Sequence, residues 1–249
     1  MRRSADLRLI ALAAAVALAL VLGAAAIVSS GSDGDEQQAS SPPAGPAAIT
    51  DPDDLQGQLL VSRQLAGLRQ QGTTLGDPDA PVTVTELGDP QCAGCAVFAQ
   101  STLDQVLLPA VRDGEVKVEF RHWTIVAPDS ARAARGALAA SAQGRHWSFL
   151  QLYYRNQPAD GAAVEQPFLE AVATAAGVPD LDAWRESLGD PRWAQHPQES
   201  ATLAQEESFE GVPSFLVEGP RGGERFARPP GGEKLLEAVD EAARPDADG

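Results

Sequence analysis

The residues of this 249-residue chain best suited to chemistry are its only two cysteines, Cys92 and Cys95, spaced as C-x-x-C. Such a pair either cycles between dithiol and disulfide or supplies half of a metal site. Exchange requires a thiolate, and a free cysteine is mostly protonated at neutral pH. Helix N-termini lower thiol pKa, because their unpaired N–H groups and macrodipole favour negative charge. A strand-like run at 82–87 leads into the pair and a helix-like run at 96–111 leads out. Cys92 therefore reads as the exposed, attacking thiol at the helix start. Cys95, one turn further in and closer to the sheet, reads as the thiol that resolves the mixed disulfide. A zinc site usually wants four ligands. The three histidines, His122, His146 and His196, form no pattern that pairs with the cysteines, so neither a metal nor another cofactor is expected.

Other residues bear on the pair. Glu86 lies six positions before Cys92 on a strand that otherwise looks buried. A buried carboxylate must be paired or have a raised pKa. Near Cys95 it could accept and return the proton as thiol and disulfide interconvert. The alternative is an exposed edge glutamate. Val212-Pro213 stands at the start of a late strand, where proline removes a ladder hydrogen bond. That placement makes sense if the peptide bond is cis and the backbone faces a bound partner; the alternative is an ordinary edge-strand proline. Val212 and Pro213, with Ala93 and Gly94 inside the motif, are the expected substrate-binding residues.

These residues need a frame. A turn-rich entry at 75–81 leads into the strand at 82–87. The helix at 96–111 follows, with Pro109 bending or loosening its last turn. After the Asp113-Gly114 turn, 115–123 alternates with the period of a strand. Strand, helix and strand make a βαβ unit with a parallel pair and a right-handed crossover. The stretch 128–205 reads as a helical insertion, broken at 143–144, 158–161, 177–180 and 189–191. Trp147, Phe149, Tyr153 and Trp184 read as its core, Arg132 and Arg135 as a solvated face, and His146 as a surface or helix-start residue. Strand returns at 208–218, a turn leads to a short edge strand near 224–227, and a last helix covers 233–243. The tail, 244–249, is acidic and expected to fray.

Upstream, residues 1–8 are basic and 9–28 are apolar and uncharged. About 20 residues at ~1.5 Å each span the ~30 Å hydrocarbon core. Arginines before the run and acids after it put the N-terminus in the cytoplasm and the remainder outside. An uncleaved single-pass anchor in the cell membrane is expected, with a cleaved signal peptide as the alternative. Residues 29–71 are expected to hold a disordered spacer and then a helix from Asp51-Pro52 to Gln70, with Leu55, Leu59, Leu65 and Leu68 on its apolar face. A net charge of −16 argues against nucleic-acid binding. Two cysteines make no disulfide scaffold, so a hydrophobic core must hold the domain.

The segment Leu75-Gly76-Asp77-Pro78-Asp79-Ala80-Pro81-Val82-Thr83-Val84, together with Cys92-Ala93-Gly94-Cys95, resembles the DsbA-like thioredoxin-fold proteins of bacterial cell envelopes. The likeness covers 72–243. It implies an α/β thioredoxin fold with a helical insertion, a cis bond at Val212-Pro213 beside the cysteines, and Glu86 as the acid beneath the site. It also implies a thiol–disulfide oxidoreductase whose partners are reduced or misoxidised exported proteins and a membrane redox partner that resets the dithiol. One departure matters. The family commonly has proline after the first cysteine and an aromatic residue or histidine third, where this chain has Ala93 and Gly94. With no imidazolium beside Cys92, its pKa should be less depressed than in DsbA itself and the couple less oxidising. A reductase or isomerase, a non-catalytic peptide-binding module and a metal carrier are the rival readings.

Overall fold

The computed structural model describes residues 49–158 and 163–245. The expected cytoplasmic segment 1–8, the anchor 9–28, the spacer up to residue 48 and the end of the tail lie outside the described residues. Among the described residues, no helix is long and apolar enough to cross a membrane.

The elements run α1 (Gln58–Gln64), β1 (Gln70–Gln71), β2 (Thr74–Leu75), β3 (Val82–Gly88), α2 (Ala93–Phe98), a π-helical stretch (Ala99–Leu107), α3 (Leu108–Arg112), β4 (Val116–His122), α4 (Ser130–Ser141), α5 (His146–Arg155), α6 (Gln166–Ala175), α7 (Leu181–Ser187), α8 (Arg192–Glu206), β5 (Ser214–Gly219), β6 (Gly222–Phe226) and α9 (Gly232–Ala243). Six strands form one sheet in the order β1-β2-β4-β3-β5-β6. β3 and β4 are parallel, with Val82 opposite Val116 and Gly88 opposite His122. β5 runs antiparallel to β3. The alternation in β4 has its expected cause: Val116, Val118, Phe120 and His122 are buried, and the intervening side chains are half-buried. The α/β thioredoxin architecture with its helical insertion is thus present.

Three local expectations are corrected. The helix after the cysteines starts at Ala93, directly behind Cys92 as its N-cap, but is not regular over 96–111: it widens into π register from Ala99 to Leu107 before Pro109. Proline in a regular helix clashes with the carbonyl four residues back, and the wider turn upstream accommodates it. The entry at 75–81 is not wholly irregular, because Thr74–Leu75 pairs with β1 and with β4 as an edge hairpin. The helix expected from Asp51 to Gln70 is two pieces. Asp51 does cap its start, accepting from Asp53 N–H at 2.9 Å, but Gly57 at φ +84° breaks the run, a conformation glycine adopts without Cβ strain. The break turns Leu55, Val61 and Leu65 inward and leaves Leu59 exposed.

The helical part of 29–71 packs on the domain. Asn156 fastens it, accepting from Gln56 N–H at 2.7 Å and donating to Gln56 C=O at 3.0 Å. Arg155 joins Asp104 of the π-helical stretch at 2.5 Å in a nearly buried ion pair and donates to Gln64. Trp147, Phe149, Tyr153 and Trp184 are fully buried, as expected of the insertion's core. Gly136 lets α4 approach α5 closely: a Cβ there would lie 2.8 Å from Phe149 Cζ.

Candidate active site

The site forms where β3 ends and α2 begins. Gly88-Asp89-Pro90-Gln91 makes a tight turn because Asp89 bonds its own neighbours, a local habit of aspartate. Its Oδ1 accepts from Gln91 N–H at 2.8 Å, and its backbone carbonyl accepts from Cys92 N–H at 3.0 Å. Tyr154 donates to that carbonyl at 3.2 Å, and Tyr153 donates to Gln91 Oε1 at 2.8 Å. The turn delivers Cys92 to the N-cap of α2 in an extended conformation, where its Sγ accepts from Cys95 N–H at 3.0 Å. A sulfur here meets the unpaired donors of the helix start, which favours thiolate over thiol.

Cys92 and Cys95 are joined as a disulfide with a Cα–Cα distance of 5.2 Å. The sequence reading makes Cys92 exposed; the residue is only 6 % exposed, against 0 % for Cys95. Pro213 lies close by, on the far side of Gly94. An ideal Cβ on Gly94 would lie 3.3 Å from Pro213 Cδ and 3.8 Å from Cys92 Sγ. The exposed glycine thus brings its backbone close to the proline ring and the sulfur, with no side chain of its own between them. Val212-Pro213 is cis, and Ser214 Oγ donates to Gly211 C=O at 2.6 Å across this bend. Ala93 and Gly94 are exposed, Val212 is half-buried and Pro213 buried. The proline precedes β5 instead of lying in it, because the strand begins at Ser214 and not at 208.

Glu86 is fully enclosed at 1 % exposure. It sits opposite Phe120 of β4 and Phe215 of β5, so the three share one face of the sheet. α2 covers that face, with the Phe98 and Phe215 ring centroids 4.4 Å apart. Cys95, one turn before Phe98, points to the same helix–sheet interface. Glu86 Oε1 has no hydrogen-bond partner, and burial pushes its carboxyl up from 4.5 to about 8. It holds a proton at neutral pH.

Two groupings escape sequence reasoning. Asp89 is fully buried, and its Oδ2 accepts from Ile125 and Val126 N–H at 2.8 and 2.9 Å. Nothing in the sequence points to the loop it binds. The three histidines also come together. His122 Nε2 and His146 Nε2 share a hydrogen bond of 2.9 Å, and the His122 and His196 rings lie 5.6 Å apart. His146 starts α5 but is fully buried, against the expectation of a surface residue, because α5 packs this end on Phe120 and His122. Burial lowers all three, His146 to about 3 and His196 to about 4. Among the described residues no group of three or more His, Cys, Asp or Glu is arranged to hold a metal ion.

Set beside known proteins, residues 69–241 match the family model described as Thioredoxin. The chain belongs to the DsbA-like thioredoxin family. Over 150 residues it is 26 % identical to "Probable disulfide bond formation protein D" of Bacillus anthracis, covering 59 % of this chain and 69 % of that one. A solved thioredoxin-like oxidoreductase from Silicibacter pomeroyi is 30 % identical, with a TM-score of 0.56 over 68 % of this chain and 90 % of that one. The oxidised form of Bacillus subtilis BdbD, 20 % identical, shares the fold with a TM-score of 0.60 over 70 % of this chain and 95 % of its own. With its Cys-x-x-Cys pair, this DsbA-like chain is a thiol–disulfide oxidoreductase.

Proposed function

We propose that this oxidoreductase is a membrane-tethered oxidase that passes its disulfide to reduced exported proteins. The observation that carries the reading is the Cys92–Cys95 disulfide at the start of α2, with the exposed backbone of Gly94 beside Pro213 and the outer sulfur. A substrate thiolate attacks Cys92 Sγ; the Cys92–Cys95 bond breaks, and Cys95 leaves with the electron pair and takes a proton. A second substrate thiolate attacks the substrate sulfur of the mixed disulfide and releases Cys92 as a thiolate. Two electrons pass from substrate to the pair, and the substrate gains a disulfide.

Glu86 is the proposed proton donor to Cys95. It is protonated at neutral pH and lies in the helix–sheet interface that Cys95 faces. Val212, Pro213, Ala93 and Gly94 form the surface on which the substrate backbone rests. A membrane partner then takes the two electrons and restores the disulfide, and residues 9–28 hold the domain outside the membrane near that partner. In keeping with that division of labour, a relative bears the name of a disulfide bond formation protein.

The Ala93-Gly94 dipeptide favours a second reading of direction, as a reductase or isomerase. It places no cation beside Cys92, so the thiolate gains only the helix N-terminus. Equilibration with glutathione distinguishes the two. An oxidase should poise above about −200 mV yet below the about −120 mV of DsbA, whereas a value near the about −270 mV of thioredoxin overturns the oxidase direction. Cys92→Ser should abolish oxidation of a reduced protein; unchanged cellular function in that variant would favour a peptide-binding module.

A further inference from the structure

We propose that the end of α5 is a brace that tunes the redox couple: Tyr153, Tyr154 and Gln157 are positioning residues that hold the turn before Cys92, and so make the couple more oxidising than Cys92-Ala93-Gly94-Cys95 alone would. The inference deepens the oxidoreductase reading and rests on it.

Each of the three residues before Cys92 is bonded to one short segment of the insertion. Tyr154 O–H donates to the carbonyl of Asp89, Gln157 Nε2 to the carbonyl of Pro90, and Tyr153 O–H to Oε1 of Gln91. The same segment grips the chain beyond Cys95. Gln100 Nε2 donates to Tyr154 C=O at 3.3 Å, and Arg155 pairs with Asp104 of the π-helical stretch. Residues 153–157 thus hold the chain on both sides of the disulfide. A brace must itself be fixed, and α5 is. Gln70 Oε1 accepts from Trp147 and Ser148 N–H at 3.0 and 3.2 Å, the Trp147 indole donates to Thr73 C=O at 3.0 Å, and Asn156 is bonded to Gln56. Both tyrosines are buried. Burial, reinforced by Asp89, pushes their hydroxyls above the ordinary phenol range, so they stay neutral donors.

The brace matters unequally to the two redox states. In the disulfide form the S–S bond itself ties Cys92 to the first turn of α2. In the dithiol form that tie is gone. What then keeps the Cys92 sulfur at the N-cap, where it meets Cys95 N–H at 3.0 Å, is the turn over 89–91. A thiolate held there is stabilised by the unpaired donors of the helix start. A looser turn lets the sulfur drift from them, so the thiolate loses stabilisation while the disulfide loses little. Stabilising the reduced form is what makes a couple oxidising. The Ala93-Gly94 dipeptide supplies no cation to do this, which leaves the helix start, and whatever holds Cys92 against it, as the source.

The test equilibrates the full chain and its variants with glutathione buffers. Combined Tyr153→Phe and Tyr154→Phe keeps both rings in the core and removes only the hydroxyls. Two lost hydrogen bonds, felt mainly in the reduced form, should move the equilibrium toward the protein disulfide roughly tenfold, a potential lower by about 30 mV. The Cys92 thiolate pKa, read by ultraviolet absorbance, should rise. Urea unfolding should show the reduced form of the variant losing more stability than the oxidised form. A merely structural role would weaken both forms equally and leave the potential unmoved. Because the double variant can fail to fold, Gln157→Ala is measured beside it; this half-buried side chain lies beyond the end of α5, and its loss should shift the equilibrium the same way by roughly threefold. An unchanged or raised potential in Gln157→Ala overturns the proposal. So does a folded double variant whose two redox forms lose stability equally. Failure of the underlying reading looks different: wild-type protein would then not exchange with glutathione at all.

Discussion

Replacing Glu86 by Gln removes a titration while keeping the side chain's size. The wild-type carboxyl is buried without a partner and raised from 4.5 to about 8. A group raised on folding contributes its full stability below its unfolded pKa and loses it as pH rises through the folded one. Between pH 4.5 and 8 the unfolded chain gives up this proton and the folded chain keeps it, so folding becomes steadily less favourable. At ~1.4 kcal/mol per pH unit the loss reaches a ceiling of ~5 kcal/mol, and is ~3 kcal/mol at pH 7. Glu86→Gln lacks this loss. Urea unfolding of the oxidised proteins should therefore give equal stabilities near pH 4 and a variant more stable by ~3 kcal/mol at pH 7, with the gap widening to pH 9. The same variant should reduce more slowly at neutral pH, because glutamine cannot hand a proton to Cys95. A gap that is constant with pH, or a variant that loses stability relative to wild type as pH rises, would refute the reasoning.

Other outcomes follow from the same geometry. The histidines are lowered by burial, two of them to about 3 and about 4, so they favour folding above pH 6.5 and cease to as pH falls toward those values; His146→Gln should flatten the acid limb of a stability–pH profile between pH 6.5 and 4, and an unchanged limb would count against the cluster. Gly94→His puts a cation beside Cys92 and should raise the reduction potential by tens of millivolts, read by glutathione equilibration; a lower potential contradicts the role given to the dipeptide. Titration of the Cys92 thiolate by ultraviolet absorbance should give a pKa well above the about 3.5 of DsbA. Deleting residues 9–28 should release the chain from membranes on fractionation, and release of the full-length chain would contradict the anchor.

What could be read in the sequence was local. β3, β4 and the helix start at Cys92 announce themselves through alternation and spacing, and the buried aromatic residues of the insertion follow from their helical pattern. Glu86 stood out because a charge interrupted an apolar strand. The two-residue strands Gln70–Gln71 and Thr74–Leu75 carry no periodicity long enough to detect. Nothing in the sequence marks Asp89, because its carboxylate reaches a loop more than thirty positions later. The histidines lie far apart in the chain, and only the docking of α5 and α8 around the end of β4 brings their rings together. Pro213, which borders Gly94 of the motif, likewise comes from a distant segment, the bend before β5.

The central claim is that exchange with substrate passes through Cys92, with Cys95 as its leaving partner, and capture of the mixed disulfide tests it most directly. Cys95→Ser protein, with Cys92 activated by a small-molecule disulfide, is mixed with a reduced unfolded protein that carries a single cysteine and separated without reductant. The account predicts a covalent complex that accumulates through Cys92, persists because no second thiol resolves it, and is not formed by Cys92→Ser protein treated in the same way. A complex that forms equally well through Cys95, or none through Cys92, would contradict it.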